Sequence, residues 1–172
     1  MEKSRQASIF AEQSIEDYLV CGNIQQMYIY KINYADSLFG LGYTQKALSI
    51  LKEVIQYARG NDQPQILDIA LLVQGNIYSY CHNSDIAKQS YEEGISIAKR
   101  ISLDWDYIYG MIYYNLHLFK NNMEIIDFDE NTIKEYVYLK ELNDILKLYV
   151  KCKHGEEVNT EVNFNIPAAR LH

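Results

Sequence analysis

Few residues in this chain combine the type and spacing that bond-making chemistry needs. Cys81 and His82 are adjacent, which does not place a base on a nucleophile. Cys152 and His154 make one pair of potential ligands with no matching second pair, so a zinc site is not expected. Glu92-Glu93, Glu156-Glu157 and the run Asp127-Phe-Asp-Glu130 are acidic clusters. Paired carboxylates do acid–base work only at a set separation in a cleft, and on helix faces and turns they read as solvated surface. The chain has no Gly-rich phosphate loop, no Gly-x-Ser-x-Gly and no His-Glu-x-x-His. No catalysis and no cofactor is therefore expected. What remains is binding chemistry: amides that pair with a peptide backbone, and tyrosines that offer apolar area with a polar tip.

The elements that position such groups are helices. The 172 residues suit one domain or one repeat array, and 48% hydrophobic content excludes wholesale disorder. Two prolines and eight glycines leave few breakers. Sixteen Lys and Arg against 23 Asp and Glu give a net charge of −7, which argues against holding nucleic acid through this chain alone. No apolar stretch reaches the length of a membrane span, and the start is amphipathic rather than a signal peptide. Three widely separated cysteines fit a reduced, cytoplasmic chain.

Helical apolar spacing predicts helices near 3–20, 24–40, 44–59, 65–81, 84–101, 104–121 and 131–151. Turns fall at Cys21-Gly22-Asn23, Gly40-Leu-Gly42, Arg59 through Pro64 and His82 through Asp85. Internal similarity supports a repeat array. Segments opening at Ala11, Ala47 and Ala87 share an alanine, an apolar residue four later and an acid at the seventh place. Asn33-Tyr34-Ala35, Val73-Gln74-Gly75 and Asn115-Leu116-His117 align between them, so His117 stands where the first two have a small residue. Small residues at 35 and 75, with Ala47 and Ala87 opposite, let paired helices approach closely, and Leu38, Tyr78, Leu51 and Tyr91 fill the seam.

Gly75-Asn-Ile-Tyr78 followed by Ala87-Lys-Gln-Ser-Tyr91-Glu-Glu-Gly-Ile resembles a tetratricopeptide repeat, as do Leu41-Gly42 before Ala47-Leu and Met111 through Leu116. The resemblance covers about residues 7–121 and implies an all-α, right-handed superhelical array of antiparallel helix pairs. It divides the chain into a repeat domain over 1–151, with an incomplete first and a divergent last repeat, and a tail over 152–172. Residues 7–20 resemble the second helix of a repeat without its first, so a further segment, a partner or a homodimer through the terminal helices is expected to cover that face.

The run from Gly75 through Lys99, then Trp105-Asp-Tyr, Tyr114-Asn-Leu and Phe119-Lys-Asn-Asn, is similar to peptide-pheromone receptors of low-GC Gram-positive bacteria and their phages, the arbitrium receptors most of all. Most of that family carry an N-terminal helix-turn-helix, for which residues 1–23 are too short. The resemblance implies that the first helices of each pair grip a short peptide. On this chain the implied face is Ile29, Asn33, Asp36, Asn76, Tyr80, Tyr114, Asn115, Leu118 and Asn122. Only Lys31 and Lys120 are available as cations, so a carboxylate clamp is not expected. A constitutive scaffold or chaperone-like adaptor holding a partner protein is the alternative. Trp105, the lone tryptophan, reads equally as a seam residue or an interface anchor.

Overall fold

The computed structural model describes residues 2–128, 132–153 and 155. Over those residues it is all-helical: α1 Glu2–Val20, α2 Ile24–Gly40, α3 Thr44–Gly60, α4 Pro64–Tyr80, α5 Ser84–Arg100, α6 Asp104–Lys120 and α7 Val137–Lys153, with a 3₁₀ turn at Thr132–Glu135 before α7. The expected helices match these within a few residues, and no helix is long and apolar enough to cross a membrane among the described residues. Most of the expected tail lies outside the described residues.

A single turn geometry builds the array. Helices α2 to α6 start at residues 24, 44, 64, 84 and 104, a spacing of 20. Gly22, Gly42, Asp62, His82, Ser102 and Asn122 follow at the same spacing, all with positive φ between 50° and 88°. After each, a backbone N–H reaches back five residues: Asn23 to Tyr18, Tyr43 to Leu38, Gln63 to Ala58, Asn83 to Tyr78, Leu103 to Ala98 and Met123 to Leu118, at 2.9–3.0 Å. This left-handed cap satisfies carbonyls that the helix end would otherwise orphan. Only two of the six are glycine, and Asp and Asn tolerate the conformation next best. A three-residue link leaves successive helices no choice but to lie side by side and antiparallel.

The spacing of 20 corrects the repeat register. Ala7, not Ala11, occupies the place of Ala47 and Ala87. Ala7 is exposed, while Ala11 is buried against α2 at the place of Leu51 and Tyr91. In the first helices, the place of Ala35 and Gly75 is taken by Asn115, not by His117. The apolar spacing of α6 hid this, because residues two apart there are equally bulky.

Helices pack consecutively, and α4 also touches both α2 and α6, so that the three form one layer. Ala35, Ala47, Ala87 and Leu51 are fully buried, as the seam requires. A Cβ on Gly75 would lie 2.9 Å from the Tyr91 ring. A second close approach escaped sequence reading: Gly94 and Gly110 both converge on Leu72, where a Cβ would come within 2.9 and 2.8 Å of its Cδ2. Leu72 thus pins α5 and α6 onto α4.

The last pairing differs. Residues 121–136 separate α6 from α7, where every earlier link has three residues. Asn115 explains the change. Its Nδ2 donates to the Ile126 carbonyl and its Oδ1 accepts from the Ile126 N–H, both at 2.8 Å. The side chain that replaces Ala and Gly thus holds the connector against α6. Lys153 then ties the end of α7 back, donating to Asn122 Oδ1 at 2.6 Å and to the Phe119 carbonyl at 3.4 Å.

Candidate functional site: a groove across the first helices

The layer of α2, α4 and α6, with α7 as a side wall, encloses a cavity of about 480 Å³. Equivalent positions of the three helices line it. Asn33 and Asp36 come from α2, Val73 and Asn76 from α4, Tyr113 and Leu116 from α6. The 17-residue helices and their fixed turns bring these places side by side. Phe39 and Tyr80 stand at one end, with ring centroids 5.2 Å apart and edge to face.

Helix α6 contributes an aromatic ladder. Trp105, Tyr109 and Tyr113 recur every four residues on one face. Trp105 stacks on Tyr109 at 5.2 Å and 12°, and Tyr109 meets Tyr113 at 4.5 Å. Asn76 holds the floor together. Its Nδ2 donates to the Tyr109 hydroxyl and its Oδ1 accepts from the Tyr91 hydroxyl, both at 2.7 Å. Burial raises the pKa of Tyr109, Tyr113 and Tyr91, so all three stay neutral phenols.

Asp36 is the acid and Lys120 the base among the residues that line the groove. The Asp36 side chain keeps a solvent-exposed face through the groove mouth, while protein atoms surround it on its other sides. That enclosure raises its carboxyl above the usual range by desolvation. Its charge in turn helps to raise Tyr109 and Tyr113. The ion pairs among the described residues are Lys31–Glu53, Arg59–Glu93 and Lys88–Glu92, and none involves Asp36. A carboxyl held among aromatic faces without a counter-ion is suited to a cation, whose charge both the acid and the ring faces attract.

Of the residues expected on the binding face, Asn33, Asp36, Asn76 and Tyr80 line the groove. The others stand elsewhere. Ile29 packs against the core of α1 to α4. Tyr114 is buried on the opposite side of α6, stacked on Tyr91 at 5.5 Å and donating to Glu92 at 2.9 Å. Asn115 holds the connector, Leu118 is buried beside Tyr91, and Asn122 forms the final turn. Trp105, Tyr109, Tyr113 and Lys120, with Tyr138 and Tyr149 of α7, line the groove without having been singled out for it. The 40-residue register would have found Tyr113 and Leu116 as the partners of Asn33 and Asp36.

His117 is buried behind the layer, between the hydroxyls of Ser79 at 2.9 Å and Ser84 at 3.2 Å. Burial, and secondarily the Lys120 charge, lowers its pKa, so it serves as a neutral polar bridge from α6 to α4 and α5. No group of three or more His, Cys, Asp or Glu among the described residues is placed to hold a metal. No family model, no curated protein and no solved structure matches this chain.

Proposed function

We propose that the chain is a peptide-binding helical-repeat domain, arranged as a right-handed tetratricopeptide-like superhelix, that serves as the sensor part of a signalling protein. The observation that carries the reading is Asp36, an acid without a counter-ion among the tyrosines and tryptophan of an open groove. Asn33 adds an exposed amide beside it for a peptide backbone. The ligand is an extended segment bearing a basic residue, whose guanidinium or ammonium meets Asp36 while its stem lies on the rings. Such a ligand shifts the protein between states only by its differential affinity for them. A constitutive adaptor for a partner protein uses the same groove and is the second reading. Self-association belongs with both, because α1 leaves Ile9, Phe10, Leu19 and Val20 exposed on one helix.

A fluorescence-anisotropy screen of short labelled peptides tests the proposal. Peptides with one Arg or Lys should bind best. Asp36→Asn should weaken them about 10- to 100-fold, the loss of one charge-assisted hydrogen bond, and leave the matched Ala peptide unaffected. Binding of no short peptide, with a protein captured instead, supports the adaptor. Equal loss for Arg and Ala peptides would remove Asp36 as the cation site.

A further inference from the structure

We infer that Asp68 and Asp106 form a proton-holding pair that ties the protonation state of the interior to the shape of the groove. This rests on their placement and not on the peptide reading. Asp68, in α4, is fully buried. Its Oδ1 accepts from the Ile69 N–H at 2.7 Å, while its Oδ2 has no donor among the described residues. Asp106, in the first turn of α6, meets it side chain to side chain across the contact of the two first helices. Asp68 is out of water and Asp106 is half-buried, and two carboxylates so placed repel each other, whereas one shared proton makes a hydrogen bond between them. The orphaned Oδ2 of Asp68 is where such a proton sits, donating to the Asp106 carboxylate.

Cations of the surrounding helices do not neutralise the pair. Lys31 of α2 pairs with Glu53, Arg59 of α3 is held by Glu93, Lys99 of α5 lies over Tyr107, and Arg100 is exposed at the end of α5. From α5, Gly94 covers the Asp68 carbonyl, where a Cβ would sit at 3.0 Å. Asp36 of α2 acts on Tyr109 and Tyr113. Burial first, then the charge of Asp106, pushes Asp68 up to about 7. Burial pushes Asp106 up to about 6, with the Asp68 hydrogen bond pulling back.

The coupling to the groove is covalent and short. Ile69 follows Asp68 and Trp105 precedes Asp106, and both line the cavity. Losing the shared proton pushes α6 from α4 at the end where Trp105 stacks on Tyr109. Both acids have folded pKa values above their unfolded values near 4. Their contribution to stability is therefore complete below about pH 4 and is lost as pH rises through 6 to 7.

The single tryptophan makes this measurable in the full chain without ligand. Trp105 emission should change with a midpoint between about pH 6 and 7, and Tm should fall across the same range by at least about 4 °C. Asp68→Asn should abolish both changes and leave the high-pH form no less stable. Asp106→Asn gives the same reading should the first variant fail to fold. Asp36→Asn should leave the transition in place. His117 works with the opposite sign, because a base with a lowered pKa destabilises the fold as pH falls. A transition that survives both Asn variants, a Tm that rises with pH, or constant emission from pH 5 to 8 overturns the inference.

Discussion

Gly75→Leu should lower stability by about 3 kcal/mol and Tm by about 6–12 °C, read by thermal unfolding at fixed pH. The Cβ alone meets two ring carbons of Tyr91 at 2.9 Å. That ring has nowhere to go: it is 1% exposed, its hydroxyl is held by Asn76, and its face is stacked on Tyr114. Helix propensity acts the other way, since alanine in a helix interior is about 1 kcal/mol better than glycine. Gly75→Ala therefore separates the two effects. A stabilised Ala variant would show that the seam yields easily and that close approach is not what this glycine provides. The damage should also spread beyond the seam, because Tyr91 and Asn76 carry the groove floor.

Asn115→Leu is the second large effect, expected at about 2 kcal/mol. Leucine fills a similar volume, so little packing is lost. What goes is both hydrogen bonds to Ile126, leaving an N–H and a C=O of the connector without their buried partner. The loss should be local. Hydrogen exchange and limited proteolysis should speed up in residues 121–128 and in α7, while α1 to α5 keep their protection. Unchanged exchange in the connector would show that Asn115 does not position it. Because α7 forms a wall of the groove, the same variant should weaken any ligand that reaches Tyr138 or Tyr149.

The helices were legible because α2 to α7 are runs of 17 residues and α1 of 19, with few breakers, and because α3 and α5 carry a clear apolar stripe. The seam was legible through Gly75, Ala47 and Ala87, where only small residues fit. The turns were less so. Six chemically different left-handed positions, from Gly22 to Asn122, obey one spacing that no single residue type marks. Without that spacing the register of α6 slipped by two. The slip carried Asn115 and Leu118 onto the expected binding face in place of Tyr113 and Leu116. Asp36 and Asn76 survived because α2 and α4 were in register. The acid pair left no sequence signal at all: Asp68 lies in α4 and Asp106 in α6, and only the layer of first helices brings them together.

The uniform spacing of 20 also makes the chain divisible. Every link from α1 to α6 has the same length and the same left-handed joint, so a helix pair of 40 residues could be duplicated or excised without changing the phase of its neighbours. The groove would lengthen or shorten in whole steps, each adding one row of side chains equivalent to Asp36, Asn76 and Leu116. Reach and chemistry would then be set separately: reach by the number of pairs, chemistry by which residue each pair contributes to that row.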